Sequence, residues 1–387
     1  MLAGRNVALG VTGSIAAVKG VELAHDLRRH GAAVRAITTP ASAGIIHPWS
    51  LAFATDQPVV SEITGKVEHI ALCGKEGWAD VLLIAPATAN TIGKMAAAID
   101  DTPVTTCATT ALGAGCPVVV APAMHEPMWE HPGILEAIDQ LESWGVTFAE
   151  PRIEEGKAKI PHEETLVVEA ARATGDRPLA DTSVVITSGA TREPVDAVRV
   201  LTNRASGKMG RSLARACYAA GASVTVIHDG PDLPFADVIA IETAEELRDA
   251  AIASVADADV FISAAAISDF KIESSPDKLD SGEIHNITLT PAPKVLDAVR
   301  EVAPDLTIVG FKAEADASRN FLQEQAQSLL ERVGATLVVA NPVSTMGAHR
   351  ASTLFVDATG AESIEGTKAD IAKRVVTHLK ESRGTTA

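Results

Sequence analysis

Short apolar runs recur along the chain, and each is followed by a polar or Gly/Pro turn and usually by a helical pattern. In the first half these runs begin at Val7, Ala33, Asp80 and Pro117. Alternating strands and helices of this kind form βαβ units, whose strands run parallel and are covered by helices on both faces. The pattern therefore predicts an open, mostly parallel sheet in the first half of the chain.

A second series of the same kind follows a polar stretch that contains Gly175 and Pro178, and we place the domain boundary at residues 175–181. Strands are predicted at residues 184–189, 223–227, 259–264, 307–311 and 336–341. Helices are predicted at about residues 208–220, 243–254 and 318–333. We therefore predict an α/β protein with two Rossmann-like three-layer domains, residues 1–175 and 182–387.

Composition agrees with two globular domains, because 387 residues exceed what one hydrophobic core usually supports. Hydrophobic residues make up 47% of the chain but aromatic residues only 3%, so the cores must consist of Ala, Val, Ile and Leu. No apolar stretch is long enough to span a bilayer, and the amino terminus leads into a strand rather than a signal peptide. We expect a cytoplasmic protein with no membrane partner.

The chain is strongly acidic, with 33 basic and 50 acidic residues and a net charge of −17. This charge repels nucleic acid, so we expect no nucleic-acid partner, and anionic substrates must be captured locally by backbone amides and a few cations. The four cysteines (Cys73, Cys107, Cys116 and Cys217) lie far apart and have no metal-ligand spacing. We expect them to be buried thiols.

Candidate chemistry in the first half lies where strands end. The first strand runs into Gly13 and Ser14 before a helix, which exposes backbone amides and predicts an anion or phosphate site. The GxGxxG spacing is absent, so this turn is not the dinucleotide fingerprint. Further strands end at Thr38, at residues 85–91 and at residues 122–129. Ligands of open α/β sheets bind at such carboxyl ends.

Together with His69, these segments resemble the phosphopantothenoylcysteine decarboxylase family of FMN-binding flavoproteins over about residues 5–170. The resemblance implies that FMN provides the electron sink for loss of CO2. It places His69 at the position of the family's active-site histidine, where an imidazole takes or positions a proton. It also implies a phosphate site at Gly13, Ser14 and Thr38, and a ring site near Thr88, Asn90, Thr91 and Ala123.

Two positions depart from that family. His125 stands where the family usually has an asparagine that holds the substrate carboxylate, and an imidazole can also donate this hydrogen bond. The flap at residues 153–161 lacks the cysteine that reprotonates the product in bacterial members. Lys159 is our candidate for that step, but Lys157, His125 or a water path could also serve. Both lysines can equally be solvated charges.

Residues 186–210 are the most informative stretch of the chain. Gly189 follows a strand, and Ser206 and Gly207 lead into a helix that starts near Lys208, so two amide-rich turns are expected. Arg192 and Lys208 add positive charge. The stretch therefore predicts a site for a phosphorylated substrate, with Arg192, Ser206 and Lys208 among its residues.

This stretch resembles the phosphopantothenate–cysteine ligase family, and the match extends over about residues 182–380. The resemblance implies that Asn203 holds the acyl group during activation and that Asp269 assists Mg²⁺ at the triphosphate. It implies that Lys278 follows charge from the α-phosphate to the leaving pyrophosphate. The nucleotide-binding residues that we expect are Ser263, Ala264, Ala265, Asp269, Lys278, Pro293, Phe311 and Arg332. CTP is the usual nucleotide, although Lys312 puts a strict preference for CTP in question.

The two resemblances together predict a bifunctional enzyme of coenzyme A biosynthesis. One half would join 4′-phosphopantothenate to cysteine through an acyl-nucleotide formed with CTP, and the other would decarboxylate the product to 4′-phosphopantetheine. The resemblance also suggests a homo-oligomer in which decarboxylase trimers are joined through ligase dimers. One alternative is a ligase with a lapsed, regulatory FMN-binding domain, because His125 and the missing cysteine both affect the decarboxylase site. Another is an NAD-dependent dehydrogenase, which the absent GxGxxG opposes.

Overall fold

The computed structural model describes residues 1–315, 318–343 and 350–384, so the last three residues of the predicted second domain lie outside it. The chain splits into two compact units, Met1–Asp176 and Arg177–Ala387. Each unit has its own sheet and helices, so the predicted α/β class is confirmed. Among the described residues, none of the helices has both the length and the apolar character needed to cross a bilayer.

Unit 1 is built on a five-stranded parallel sheet in the order β2-β1-β3-β4-β6. Its strands are β1 (Asn6–Val11), β2 (Ala33–Thr38), β3 (Val81–Ala87), β4 (Val118–Pro122), β5 (Met124–His125), β6 (Thr147–Phe148), β7 (Arg152–Glu154) and β8 (Lys157–Lys159). Its helices are α1 (Gly20–Arg29), α2 (Pro40–Ala43), α3 (Pro48–Thr55), α4 (Glu68–Cys73), α5 (Ala89–Ala96), α6 (Pro103–Ala114), α7 (Glu126–Trp129), α8 (Pro132–Ser143) and α9 (Glu163–Thr174). A 3-10 helix, Ile15–Lys19, follows β1.

The central strands of unit 1 are continuous apolar runs because both of their faces are covered. Every residue of β3 and β4 is buried. Helices α4, α5, α6 and α8 contribute side chains to one core cluster with these strands. Helices α1 and α9 pack against each other, and α9 also contacts β3 and β4. Helix, sheet and helix thus form the three layers that the alternating pattern predicted.

A small antiparallel sheet in the order β5-β8-β7 extends beyond the carboxyl end of β4. It pairs the hairpin of residues 152–159 with Met124 and His125. Its strands have two or three residues each, too few for a periodic pattern, so the sequence did not predict them. The pairing brings the predicted flap directly against His125.

Unit 2 contains, within its described residues, an eight-stranded sheet in the order β13-β12-β9-β14-β17-β18-β19-β20. Its strands are β9 (Ser183–Thr187), β10 (Arg192–Pro194), β11 (Val200–Thr202), β12 (Ser223–His228), β13 (Asp237–Ala240), β14 (Val260–Ser263), β15 (Phe270–Ile272), β16 (Leu289–Pro291), β17 (Thr307–Glu314), β18 (Leu337–Pro342), β19 (Arg350–Asp357) and β20 (Gly360–Thr367). Its helices are α10 (Lys208–Ala219), α11 (Ala244–Ser254), α12 (Val295–Val302), α13 (Arg319–Val333) and α14 (Lys368–Gly384). A 3-10 helix, Val255–Asp257, follows α11.

The sheet of unit 2 is parallel from β13 to β18 and ends in the antiparallel strands β19 and β20. The predicted helices correspond to α10, α11 and α13 to within about two residues. Strands β13 and β20 were not predicted, because they lie at the sheet edges and most of their side chains are exposed or only half-buried. The parallel strands place the carboxyl ends of β9, β14, β17 and β18 at one edge.

Candidate active sites

The carboxyl ends of the central strands of unit 1 are joined by backbone hydrogen bonds. The bonded pairs run from the amides of Thr12, Thr39 and Ala123 to the carbonyls of Pro86, Val11 and Ala87, at 3.2, 3.2 and 2.9 Å. The predicted FMN residues that this edge brings together are Gly13, Ser14, Thr38, Thr88, Asn90, Thr91 and Ala123. The edge is therefore where a single ligand can contact several strands.

The turn after β1 is unusually close to α2. A Cβ atom added to Gly13 would lie 2.5 Å from the Cβ atom of Ala41, so only glycine fits there. The Ser14 hydroxyl caps the following 3-10 helix by accepting from the Ala16 amide at 3.4 Å. The Thr38 hydroxyl bonds the Ser61 hydroxyl at 3.0 Å. A phosphate requires hydrogen-bond donors, which here are the hydroxyls of Ser14 and Thr38 and the backbone amides of the turn. The turn at Gly13 and Ser14 therefore fits the phosphate of FMN.

The amino terminus of α5 supplies the other polar groups at this edge. The Thr88 hydroxyl caps α5 by accepting from the Thr91 amide at 3.3 Å. The Thr88 amide donates to the Thr12 hydroxyl at 3.0 Å, which ties the start of α5 to the end of β1. Asn90 is exposed in the first turn, whereas Thr91 and Ala123 are buried. Polar groups and a buried small residue at this position suit the ring region of a flavin.

His69 lies in the first turn of α4, a helix that begins after Val67 in the left-handed conformation. Its Nδ1 atom is buried and makes no hydrogen bond with any described residue. A buried polar atom without a partner costs free energy, and in native proteins such an atom is explained by a catalytic role, a bound water or ion, or local strain. This orphaned nitrogen is consistent with the predicted catalytic role of His69.

The two lysines of the flap, Lys157 and Lys159, have different surroundings. Lys157 lies opposite His125 in the β5–β8 pair, and the His125 side chain is exposed. The Lys159 ammonium bonds Glu155 at 2.9 Å and Glu154 at 3.1 Å. These hydrogen bonds, first that to Glu155 and then that to Glu154, raise the pKa of Lys159. Lys159 can act as an acid only after leaving both carboxylates, so its assignment stays a prediction.

Unit 2 has a cavity of about 610 Å³ at the carboxyl edge of its sheet. Its lining includes Asn203, Ser206, Lys208, Ser263, Ala264, Ala265, Asp269, Pro293, Phe311 and Arg332, all of which the sequence predicted as site residues. Two further predicted residues, Arg192 and Lys278, are in the described part of the chain but outside this lining. Nearly all of the predicted ligase residues therefore share one cavity.

The start of α10 reaches this cavity because two glycines allow a close approach. Gly207 precedes the helix with a φ of 65° and no side chain caps the helix. A Cβ atom on Gly210 would lie 2.2 Å from the Ser188 hydroxyl oxygen, so no larger residue fits there. The amides of the first turn are thus held beside the end of β9, where a helical amino terminus favours an anion.

Asn203 is held by the loop that follows β14. Its side-chain nitrogen donates to the carbonyls of Ala266 at 3.1 Å and Ile267 at 3.2 Å. An acyl oxygen can receive a hydrogen bond from this amide only by displacing one of those carbonyls. The structure therefore places Asn203 in the cavity with its amide group engaged by the protein.

The cavity also contains cations that are paired with carboxylates. Lys294 bonds Asp269 at 2.7 Å, Lys312 bonds Glu314 at 2.9 Å, and Arg332 bonds Asp297. The described residues contain no group of three or more His, Cys, Asp or Glu side chains that could hold a metal ion alone. Mg²⁺ usually takes one or two carboxylates together with nucleotide phosphates, so Asp269 fits a metal that arrives with the nucleotide.

Arg192 and Lys278 lie near the β10–β11 hairpin. Arg192 forms an ion pair with Asp229 at 2.7 Å, beside the turn at Gly189, where φ is 80°. Lys278 is exposed on a segment whose next residue, Leu279, donates its amide to Asp196 at 3.1 Å. This hydrogen bond attaches the lysine-bearing segment to the hairpin.

The Asp196 carboxylate has no exposed surface, and it also accepts from the amides of Val198 and Arg199 at 2.8 and 2.6 Å. Burial alone would raise its pKa, but these amides, that of Leu279 and the Arg199 guanidinium outweigh burial and hold the pKa of Asp196 well below its usual range. The hydrogen bond from the Leu279 amide to Asp196 is therefore made to an ionised carboxylate at every pH near neutrality.

Some cavity residues had no local signal in the sequence. Lys294 follows a Pro-Ala-Pro segment, and Thr353 comes from β19, near the end of the sheet. Lys368 is the first residue of α14, far from every motif. Only the folded sheet brings these residues to Asn203 and Lys208.

Comparisons with known proteins cover both units. Residues 1–174 match the family model described as flavoprotein, and residues 179–382 match the DNA/pantothenate metabolism flavoprotein C-terminal domain. The chain is 43% identical over 381 residues to a coenzyme A biosynthesis bifunctional protein CoaBC of Thermococcus kodakarensis, covering 97% of this chain and 94% of that protein. It is 36% identical over 387 residues to the protein of the same name in Methanocaldococcus jannaschii, covering 98% and 94%.

Among solved structures, the crystal structure of the C-terminal domain of a coenzyme A biosynthesis bifunctional protein CoaBC is 27% identical. It covers 54% of this chain and 100% of that chain with a TM-score of 0.45.

Proposed function

Since the chain belongs to the family of coenzyme A biosynthesis bifunctional proteins, we propose that residues 1–175 carry the decarboxylase and residues 182–387 the ligase. The chain is an enzyme of coenzyme A biosynthesis with phosphopantothenoylcysteine decarboxylase and phosphopantothenate–cysteine ligase activities. The observation that carries this conclusion is the archaeal relative, which matches 97% of the chain. That match does not favour a lapsed regulatory domain, and the flavoprotein match favours a flavin over NAD.

For the decarboxylase we propose that the edge formed by Gly13, Ser14, Thr38 and the start of α5 holds FMN, the cofactor that the flavoprotein match supports. Bound FMN supplies an electron sink for the thiol carbon, so that CO2 can leave without an unstabilised carbanion. His69 takes or positions a proton through its otherwise unpartnered Nδ1 atom. His125 donates a hydrogen bond to the substrate carboxylate.

His69→Asn tests this assignment. We expect CO2 release from phosphopantothenoylcysteine to fall by at least about 100-fold, the usual contribution of a positioned acid or base, while the flavin absorbance is retained. His30→Asn is the matched control, because His30 follows α1 at the opposite edge of the sheet. Full activity in His69→Asn would refute the role, and no release by the wild-type enzyme would favour the lapsed domain.

For the ligase we propose that the unit 2 cavity binds CTP and 4′-phosphopantothenate together. The substrate carboxylate attacks the α-phosphorus, a C–O–P bond forms and pyrophosphate leaves. The cysteine amine then attacks the acyl carbon, the amide bond forms and CMP leaves. Asp269 would hold the Mg²⁺ that arrives with the triphosphate. For this to happen, the ion pair between Lys294 and Asp269 must open. Lys278 follows the pyrophosphate from the segment held by Asp196.

Asn203→Asp tests the acyl-transfer assignment. The carboxylate cannot donate to the Ala266 and Ile267 carbonyls or to the oxyanion that develops on the acyl carbon, so the acyl-nucleotide should form but react slowly with cysteine. Rapid quenching and mass spectrometry should show the intermediate accumulating. Asn286→Asp makes the same change at an exposed site in unit 2 and should turn over normally. Normal amide formation by Asn203→Asp would refute the assignment.

We also propose that the protein is a homo-oligomer. Each unit exposes large apolar side chains, including Trp49 and Phe53 on α3, which are 79% and 80% exposed, and Ile284 in unit 2, which is 95% exposed. Trp49 and Phe53 are four residues apart on α3 and so lie on one face of the helix, and a contiguous exposed apolar patch often marks a protein–protein interface. Light scattering on the purified enzyme should give a mass that is a multiple of 40.2 kDa, and a monomer at working concentration would contradict the proposal.

A further inference from the structure

Asp269 and Lys294 form an ion pair in the unit 2 cavity, where the Lys294 ammonium lies 2.7 Å from the Asp269 carboxylate. Among the described residues that line the cavity, Asp269 is the only Asp or Glu, whereas several lysines and arginines share the lining. A carboxylate without a cation beside it repels phosphates. A metal ion that accompanies a triphosphate explains the presence of this carboxylate, because Mg²⁺ is bound by one or two carboxylates together with phosphates.

The two segments that carry the pair are joined by backbone hydrogen bonds. The Ala292 amide donates to the Asp269 carbonyl at 2.9 Å, and Phe270 pairs with Pro291 in the antiparallel strands β15 and β16. The backbone of Lys294 therefore stays near Asp269 whether or not the two side chains are bonded. Lys294 is the residue before α12, and its side chain does not cap this helix, so capping does not explain a lysine there.

The ion pair is exposed enough to open. The side chains of Lys294 and Asp269 are 60% and 71% exposed. An exposed ion pair contributes little to stability, because water screens the charges and two flexible side chains must be ordered. A divalent cation that is also bound to nucleotide phosphates carries the greater charge and attracts the carboxylate more strongly. The ammonium can then leave Asp269 and meet a phosphate in the same cavity.

We propose that Lys294 is a further phosphate-binding residue of the ligase, which neutralises Asp269 in the free enzyme and moves to a phosphate oxygen of the nucleotide when Mg²⁺ takes its place. The inference rests on the proposed ligase function of this cavity. In this exchange Asp269 always faces a cation and Lys294 always faces an anion. An ammonium suits the task, because it carries three donors on a flexible stem. Without nucleotide, it competes with free divalent cations for Asp269.

The first test is Lys294→Met, with Lys271→Met as the matched control and Lys294→Arg as the conservative variant. Lys271 lies in β15, forms an ion pair with Glu245 at the same distance of 2.7 Å, and is outside the cavity lining that the described residues form. Each methionine variant therefore removes one charge and one ion pair. Calorimetry on the full chain measures CTP binding with Mg²⁺ present. Electron paramagnetic resonance measures the binding of Mn²⁺, a substitute for Mg²⁺, without nucleotide.

We expect Lys294→Met to weaken CTP binding by about 10-fold, the usual effect of losing a charge-assisted hydrogen bond. Mn²⁺ alone should bind several-fold more tightly to this variant, because the competing ammonium is gone. Lys294→Arg should keep most of the affinity for CTP, and Lys271→Met should leave both affinities unchanged. Equal CTP affinities for Lys294→Met and Lys271→Met would overturn the inference.

The second test uses the other partner of the ion pair. Asp269→Asn frees Lys294, so this variant should bind CTP more tightly than the wild type when a chelator removes divalent cations. Adding Lys294→Met to Asp269→Asn should abolish the gain, whereas adding Lys271→Met should not. A gain that persists without Lys294 would mean that the carboxylate only repelled the phosphates, which would overturn the inference.

The wild-type enzyme separates this inference from the proposed function. If the wild type binds no CTP in the presence of Mg²⁺, the proposed ligase function and the role of Lys294 both fail. If the wild type binds CTP and forms the amide but Lys294→Met binds CTP as the control does, only the role of Lys294 fails.

Discussion

Asp196 connects two parts of the proposed ligase site that are distant in the sequence. Its buried carboxylate accepts from the amides of Val198 and Arg199 in the hairpin loop and from that of Leu279, next to Lys278. The Leu279 carbonyl also accepts from Arg199 at 3.3 Å. Asp196 is thus a positioning residue that holds the lysine-bearing segment on the hairpin.

We expect Asp196→Asn to lower ligase kcat by about 10-fold or more, because a misplaced catalytic group loses orientation, with little change in the KM for cysteine. The asparagine keeps the size of the side chain but presents one acceptor atom in place of two. Steady-state kinetics with pyrophosphate detection measure this. Asp280→Asn, at an exposed position in the same segment, is the control, and equal kcat values for the two variants would contradict the role of Asp196.

The stability of unit 2 should depend on pH through His228. His228 is buried at the end of β12, its Nε2 atom has no hydrogen-bond partner among the described residues, and burial lowers its pKa. The unfolded state therefore binds more protons than the folded state between the lowered folded-state pKa and the ordinary histidine pKa of about 6.5. The contribution to stability is complete above that pH and is lost as the pH falls through it.

The free energy of unfolding of unit 2 should thus decline between pH 7.5 and 5.5, as measured by urea titration at each pH. His228→Gln, which cannot titrate, should show a smaller decline. His285→Gln, at an exposed site in the same unit, should decline as the wild type does. If His228→Gln and the wild type had identical pH slopes, burial of the neutral imidazole would not be the cause.

Residues 186–210 could be interpreted from the sequence because consecutive residues build the turns at Gly189 and Gly207. The same holds for Gly13 and Ser14, where a local turn exposes amides. Lys294 and Lys368 could not be found in this way, because only the sheet order brings their segments to the cavity. The engagement of Lys159 by two carboxylates likewise depends on side-chain geometry that no spacing encodes.

At the scale of elements, one arginine, Arg300, forms hydrogen bonds at the ends of two helices of unit 2, α12 and α13. Arg300 in α12 donates to the carbonyls of Val333 and Gly334 at the end of α13, at 2.7 and 3.0 Å. It also donates to the carbonyls of Ala303 and Pro304 after its own helix, at 3.2 and 2.5 Å. The guanidinium thus supplies donors to carbonyls at the ends of both helices, where intrahelical donors run out.

We expect Arg300→Lys to destabilise unit 2 by about 1–3 kcal/mol, because an ammonium cannot present the planar fork that reaches both helix ends. Urea unfolding followed by circular dichroism measures the change. Arg319→Lys, at an exposed position in the first turn of α13, should change stability far less. Equal midpoints for the two variants would show that the carbonyls are satisfied by water.

Periodicity predicted the central strands and the helices α10, α11 and α13 because their apolar residues recur with a clear period and are buried. It missed β19, although Leu354, Phe355 and Val356 are buried. It also failed for β13 and β20 and for the small sheet of β5, β7 and β8. Those strands are short or lie at edges, where half or more of the side chains meet solvent and the pattern is lost. Their pairing is determined by neighbouring strands rather than by their own residues.

At the scale of the whole molecule, an acidic chain places several cations in the cavity that we propose for its anionic substrates. The net charge is −17, yet Lys208, Lys294, Lys312, Arg332 and Lys368 all line one cavity. The sequence predicted that anions must be captured locally, and the cavity provides the cations for it. The negative net charge repels anionic substrates at long range. Added salt screens this repulsion, so we expect it to make substrate association faster, whereas salt slows association with a basic nucleotide-binding protein.

The two units should also work when the chain between them is cut. Each unit has its own sheet, and the proposed decarboxylase and ligase residues each lie within one unit. Gly175 and Asp176 are exposed, whereas Leu179 is buried and donates its amide to the Ala220 carbonyl at 2.9 Å. A protease site inserted between Gly175 and Asp176 therefore leaves the packed residues of both units in place.

After complete cleavage at that site, we expect kcat/KM for each half-reaction to remain within about twofold of the uncut protein, because separate cores keep domains folded independently. The uncut insertion variant is the control for the added residues, and gel filtration after cleavage shows whether the fragments stay together. Loss of CO2 release with the ligase intact would mean that the flavin site needs residues of unit 2. Loss of amide formation alone would mean that the ligase site needs residues of unit 1. Either result would contradict the expectation that each active site works without the other unit.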